Sequence, residues 1–395
     1  MTADPAADAV PATAATEVEF ISLTHTNAST ELVPIPSRGI DLPFVRRYVR
    51  TLEDGGFDAT LLPYGSASAD SFVLAAAVGQ VSERIKPIVA VRPNTVFPTV
   101  AAQQLATLDQ LTEGRAVVHL ISGGSDAEQA RQGDYLPKSE RYSRTSEFVD
   151  VLRRSWTETQ PFSHAGEHYR FDDFGPGFPP YAAAIPISIG GQSDAAFDIG
   201  GSKADIFSFW GEPLADIAAQ IARVHGIAAA AGRADRPRIW VTFRPIIDRT
   251  DELAWAKAHD YAERISRTFE TGAFRKGNKA APQNVGSQRA LEFAQRQEIY
   301  DRALWTRTAA ATNGQGASTA LVGSPETVAA AILDYIDLGA SLVSIRGYDT
   351  VNDVIDYGRY VLPLVRQELE HRRVTGRRGA LQGEHLGALA TAGRS

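Results

Sequence analysis

Eight short apolar runs recur along the chain, and a stretch of helix length follows each one. The runs are Val18–Leu23, Ala59–Leu62, Ile85–Val91, Ala116–Ile121, Ile185–Ile189, Ile206–Trp210, Arg238–Phe243 and Ser341–Arg346. They are rich in branched and aromatic residues and too short for helices, so they read as buried strands. The segments Pro43–Gly55, Ser71–Ser82, Val100–Leu111, Arg141–Ser155, Ala195–Gly200, Pro213–Ala231, Asp251–Ile265 and Asn352–Leu369 read as the helices between them. Strands separated by helices pair in parallel, because only a crossover returns the chain to the same strand direction. An open, doubly wound sheet is the rival arrangement, and the count of eight favours closure. The pattern therefore predicts an α/β fold, a (β/α)8 TIM barrel with insertions.

The expected boundaries are a disordered tail over 1–16, a single barrel domain over 17–371 and a C-terminal tail over 372–395. Residues 1–16 have neither the basic start nor the apolar core of a secretory signal, so a cytoplasmic protein is expected. The first insertion, 161–184, alternates polar and apolar residues at His168–Phe171 and predicts a small hairpin before the fifth strand. The second, 267–318, is far longer, with a helical patch at Gln288–Trp305 and a Gly-rich end. A loop of this size in a compact domain is usually functional or disordered. Leaving the seventh unit, it is placed to cover the barrel mouth as a lid.

Composition removes several classes. Lys and Arg number 40 against 47 Asp and Glu, with no basic stripe, which argues against a nucleic-acid binder. The absence of Cys excludes disulfides, thiolate zinc sites, iron–sulfur clusters and a cysteine nucleophile. No GxxxxGK[ST], HExxH or GxGxxG after the first strand occurs, so a Rossmann dehydrogenase is disfavoured and no metal site is expected. No apolar run approaches the ~20 residues of a membrane span.

Barrel enzymes build their sites at the C-terminal ends of the strands. There the sequence offers His25, Pro63–Ser68, Arg92–Asn94, Ser122-Gly123-Gly124, Gly190-Gly191-Gln192-Ser193, Trp210-Gly211-Glu212 and Arg346-Gly347-Tyr348. The seventh run carries Arg238 and Trp240 at alternate positions, hence on one face. Gly-Gly turns ahead of a helix present N–H groups to an anion such as phosphate, although they also serve as plain tight turns. Arg238 on a barrel strand needs a ligand or a carboxylate, because an unpaired buried guanidinium is costly. With binding groups plentiful and acid–base groups scarce, a cofactor is expected to carry the chemistry.

At these residues the chain resembles the bacterial luciferase-like flavin monooxygenases, most of all the alkanesulfonate monooxygenases. The similar segments are Pro63–Phe72, Arg92–Arg115, Ser122–Gly124 with Glu140–Tyr142, Ile189–Ala195, Trp210–Pro213, Arg238–Arg244, Thr319–Gly323 and Gly347-Tyr348. The resemblance implies reduced FMN from a separate NAD(P)H-dependent FMN reductase, O2 as co-substrate, and cleavage of an organosulfonate to sulfite and an aldehyde. It implies that Tyr142, Gln192 and Ser193, with Gly190 and Gly191, hold the FMN phosphate end, and that Ser122, Gly123 and Gly124 lie by the ring. Arg238, Tyr348, Trp210 and His25 are implied as the catalytic set, and Trp240, Ser68, Arg289 and Arg307 as substrate contacts. A small anionic substrate and a homodimer or homotetramer complete the expectation.

Three positions depart from the sulfonate pattern. Arg238-Ile239-Trp240 stands where Arg-x-His is usual, Ser68 where Cys is common, and Asn313, with Arg307 further back, where the lid carries Arg. An indole offers a flat stacking face in place of a polar donor. These changes point to a bulkier sulfonate, such as a sulfosugar or an aromatic one, or to a sulfone. A deazaflavin-dependent oxidoreductase on the same barrel, and a relative without catalysis, remain as alternatives.

Overall fold

The computed structural model describes residues 17–36, 39–175, 178–272, 281–316, 319–379 and 381. The expected tail over 1–16, most of the expected C-terminal tail, and 273–280 and 317–318 of the expected lid lie outside the described residues. Along the chain come β1 (Glu19–Leu23), β2 (Ala59–Leu62), β3 (Lys86–Val91) and β4 (Val117–Leu120). The hairpin β5 (Phe162–Ala165) and β6 (Arg170–Phe174) follows, then β7 (Ile187–Gly190), β8 (Ile206–Trp210) and β9 (Arg238–Phe243). The last strands are β10 (Ile246–Ile247), β11 (Ile299–Tyr300), β12 (Leu304–Trp305), β13 (Ala320–Gly323) and β14 (Ala340–Ile345). Strands β1, β2, β3, β4, β7, β8, β9 and β14 close into one barrel in chain order, every pair parallel. All eight expected runs lie in it, and the expected hairpin is β5–β6.

Alternation along the strands sorts side chains between two cores. Phe20, Val89, Ile187, Phe207, Val241 and Val343 face the helices. Ile21, Ala59, Ile88, Val117, Ile206, Trp240 and Leu342 form a separate cluster inside the barrel. The interior is thus a packed apolar layer with an indole as its largest member, not a channel.

The helices follow from capping and periodicity. In α1 (Leu42–Asp54), Asp41 accepts a bond from the Phe44 N–H, and Phe44, Val45, Tyr48, Val49 and Leu52 make the buried stripe. Next come α2 (Ser71–Val81), α3 (Pro98–Leu111), α4 (Asp126–Ala130), α5 (Lys138–Thr157), α6 (Asp194–Lys203) and α7 (Leu214–Ala230).

After β9 the structure corrects the sequence reading. The expected seventh barrel helix, α8, runs from Asp251 to Thr271 and packs on an additional four-stranded sheet of order β10-β13-β12-β11. Ala254, Ala258, Ala262 and Ile265 form its buried stripe, and these small residues bring the helix axis close to Ile246, Trp305, Ala320 and Val322. After α9 (Val285–Arg296) and α10 (Arg307–Ala311), α11 (Pro325–Asp337) packs against β14 and takes the barrel position. The elaboration of the seventh unit therefore begins at Ile246, not at 267, and α9 gives way to a β-turn-β unit before Trp305. The chain closes with α12 (Thr350–Asp356), a π-helical turn (Tyr357–Val361) and α13 (Leu362–Thr375). Arg372, placed in the expected tail, is instead buried in α13 on Glu368 and Asp337.

Candidate active site

A cavity of about 280 Å3 opens at the C-terminal ends of β4, β7 and β8. Its walls are the turns Ser122–Gly124 and Gly190–Ser193, and Tyr142, Lys138 and Trp210 stand at its sides. His119 and Ser208 form its floor, and Asn284, Val285 and Gly286 at the start of α9 lie over it. The turns of the sequence reading therefore come together, from three strands, into one concave site.

Each wall has a local cause. Ser193 caps α6 by accepting from the Ala196 N–H, and it is hydrogen-bonded to the Tyr142 hydroxyl. A Cβ at Gly190 would stand 2.4 Å from Ser208 Oγ, and one at Gly191 (φ +139°) would stand 2.9 Å from the Ala196 Cβ and 3.1 Å from Tyr142 Oη. Only glycine lets the backbone line the cavity here. Gly123 (φ +89°) leaves room for Gln129, and buried Arg141 ties the β4 turn together by donating to Ser122 O (3.2 Å), Asp126 (2.9 Å) and Leu136 O (2.6 Å). Burial pushes the Tyr142 phenol up and, with the nearby Arg141, the Lys138 ammonium down. Lys138 makes no hydrogen bond or ion pair with any described residue.

The wall continues outward through a polar chain. Gln192 donates from Nε2 to Glu212 and to Gln220, and Arg289 of α9 grips buried Glu212 through Nε (2.9 Å) and Nη2 (2.6 Å). Arg289 is thus a latch that holds α9 over the cavity rather than a group aimed into it.

Family and structural comparisons agree with this architecture. The model of the luciferase-like monooxygenases matches residues 18–342. The chain belongs to this family. Similar solved structures include a riboflavin lyase, RcaE, crystallised with modified FMN and riboflavin (TM-score 0.73, 18% identity, covering 93% of this chain and 94% of that one). EDTA monooxygenase EmoA from Chelativorans sp. BNC1 matches with a TM-score of 0.70 and 19% identity over 89% of this chain and 94% of its own. DmoA from Hyphomicrobium sulfonivorans gives 0.71 and 19% over 92% and 89%. The chain is accordingly a flavin-dependent monooxygenase of the luciferase-like family, and no helix among its described residues is long and apolar enough to cross a membrane.

Several expected residues of this luciferase-like protein sit elsewhere. Arg238 opens β9 at the N-terminal end of the barrel, where it donates to Glu19 Oε1 (2.7 Å) beside Lys86 (3.1 Å from Glu19). Its carboxylate partner, not a ligand, satisfies it, so the expected catalytic role is corrected. Trp240 fills the apolar layer inside the barrel at 2% exposure and presents no open stacking face; its indole N–H has no acceptor among the described residues. Ser68 closes its own exposed turn with Gly65, and exposed Arg307 lies against His259. Tyr348 is fully buried under the Arg244 guanidinium, 3.6 Å from its ring centroid, in the core of the additional sheet. His25 packs edge-on against Tyr48 at the β1 side of the mouth, and Trp210 alone of the expected catalytic set lines the cavity.

The sequence reading passed over the residue that carries charge at the working end of β9. Arg244 is 3% exposed and bonds both oxygens of Glu31 (3.0 and 3.2 Å) and Gly347 O (3.0 Å). Its signal was present: the alternation 238, 240, 242 reaches 244 one residue beyond the strand. Arg346, one residue beyond β14, donates to Gly316 O. Burial pushes the Glu31 carboxyl up, but Arg244 and then Arg346 outweigh this and hold it far below the usual range. Lys138, His119 and the 284–286 segment were also missed; no motif marks them, and folding alone brings them to the cavity.

Proposed function

We propose that this chain is the oxygenase component of a two-component system that takes reduced FMN from a separate reductase and spends it, with O2, on a small anionic organosulfonate. The observation that carries the flavin assignment is the cavity itself. Its walls are backbone where a Cβ would not fit, and its rim brings together a capped helix start, two hydroxyls and an unpaired ammonium. Such a set suits a phosphate ester. Tyr142, Ser193, Gln192 and Lys138 would hold the phosphate, and the turns at 122–124 and 190–191 would flank the ring. Bound reduced FMN supplies the two electrons that O2 needs, one oxygen atom going to the aldehyde and the other to water.

The chain's own residues exclude solvent and place charge. Trp210 and the start of α9 cover the cavity, which protects a reactive flavin from water. An anionic substrate is supported by Arg346, partly exposed at the end of β14, with Arg244 behind it already matched to Glu31. The experiment supplies FMN, a generic NADH-dependent reductase and air with a panel of alkyl, aromatic and sugar sulfonates, and measures sulfite. Sulfite from one class is the expected result. Its absence with FMN binding intact overturns the sulfonate assignment in favour of a sulfone or another substrate. Turnover without O2 on a reduced deazaflavin overturns the oxygenase assignment.

A further inference from the structure

The cavity floor holds a group that phosphate binding and solvent exclusion do not explain. His119 stands in the middle of β4, two residues beyond Val117, with its side chain inside the barrel just above the apolar layer. No carboxylate among the described residues bonds it, and burial lowers its pKa to about 4, so the ring is neutral at neutral pH. Two contacts fix its orientation. Nδ1 lies 2.9 Å from Ser188 Oγ, and the Trp240 ring lies with its centroid 5.3 Å away, tilted by 53°. The opposite edge of the imidazole faces Gly190: a Cβ there would stand 3.1 Å from Cε1 and 3.3 Å from Nε2. The hydrogen bond of the His119 side chain to the described residues is made through Nδ1, not Nε2, and the residue keeps 8% exposure on a cavity that it lines.

A neutral imidazole donates through one nitrogen and accepts through the other. The Ser188 hydroxyl serves Nδ1 in either role, so Nε2 can present a donor or an acceptor without the ring moving. We propose that His119 contacts the cofactor: its Nε2 hydrogen-bonds the polar edge of the flavin ring seated on this floor, and the Ser188 hydroxyl lets it match that edge in both the oxidised and the reduced state. On that edge the flavin N5 changes from acceptor to donor on reduction while the ring carbonyls stay acceptors, so a rigid single-role group at N5 would favour one state only. This rests on the flavin reading above. Trp240 then has a positioning role: it packs the imidazole upright from below, which accounts for so large a ring inside the barrel.

The test titrates the full-length protein with oxidised FMN, and anaerobically with reduced FMN, following flavin absorption and fluorescence. His119→Phe keeps the ring contact with Trp240 but loses both nitrogens. We expect it to weaken binding of both forms about tenfold and to shift the flavin absorption bands. Ser188→Ala leaves the imidazole in place but removes its adaptable partner, so binding of the two redox forms diverges by about threefold or more. Unchanged affinities and bands in a folded His119→Phe protein overturn the inference. So does an unchanged ratio of the two affinities in Ser188→Ala, which keeps the question decidable if the Phe variant fails to fold. If the wild-type protein itself binds no FMN, it is the flavin reading that fails.

Discussion

Strand β9 carries an arginine at each end, and the two live in opposite circumstances. Arg238 and Arg244 are six residues apart, about 20 Å at ~3.3 Å per residue. Arg238 has a side-chain exposure of 39% and shares Glu19 with Lys86. Arg244 has 4% and holds Glu31, from the β1–α1 loop, in a two-pronged bond under which Tyr348 stacks. Both satisfy the rule that a guanidinium on a barrel strand needs a partner. Only the strand's direction distinguishes the end that closes the barrel floor from the end that faces chemistry. A motif that fixes spacing without fixing depth selects the wrong arginine.

The comparison can be broken most directly at Arg244. Arg244→Ala removes a buried guanidinium and the main cation partner of Glu31, and should cost about 3–5 kcal/mol in denaturant unfolding. A loss below 1 kcal/mol would erase the contrast between the two ends. Glu31→Gln should cost less, and its cost should depend on pH. The native carboxyl sits below its ordinary value of 4.5, so it stabilises the fold above that pH and loses this contribution as acid titrates it. The melting-temperature gap between wild type and Glu31→Gln should therefore be widest near neutrality and narrow steadily below about pH 4.5. A gap that widens in acid contradicts the assigned pairing.

Lys138→Ala sharpens the account of the mouth, since its ammonium has no partner among the described residues. FMN affinity should fall about tenfold at low salt while riboflavin affinity stays within twofold, a difference readable by fluorescence titration. Equal losses for both ligands would remove Lys138 from the phosphate end. The smallest effect belongs to Arg238→Ala. An exposed pair of this kind contributes about 0–1 kcal/mol, and kcat and FMN binding should stay within twofold. Lost turnover in a stable Arg238→Ala protein would restore the role that the sequence suggested.

How far the sequence could be read depends on the range over which each feature is encoded. Barrel strands declare themselves locally through short apolar runs, and β2, β8 and β9 have the bounds read from them. The Gly-Gly turns are equally local, because a backbone pressed against Ser208 or Ala196 tolerates no other residue. What escaped is what folding assembles from afar. α8 looks like a barrel helix, since its alanine stripe is as regular as any, but nothing in that stripe says that the surface it covers is a second sheet. Trp240 and His119 lie on different strands, and only the register that joins β4 to β9 through β7 and β8 makes them neighbours. Arg289 looked like a substrate contact because the buried carboxylate it meets, Glu212, lies 77 residues away.

The Arg289–Glu212–Gln192 chain has a kinetic meaning as well. The start of α9 stands so close over the cavity that a Cβ on Gly286 would lie 2.7 Å from Gln192 Oε1 and 3.2 Å from Trp210 Cε3. No occupant of that cavity leaves past α9 unless Arg289 first lets go of a carboxylate that is 1% exposed. Movement of α9 away from the cavity therefore has to break the Arg289–Glu212 ion pair. If the chain is supplied with reduced flavin by a separate protein, as proposed above, such a latch would help to hold each delivered electron pair in place until it is used.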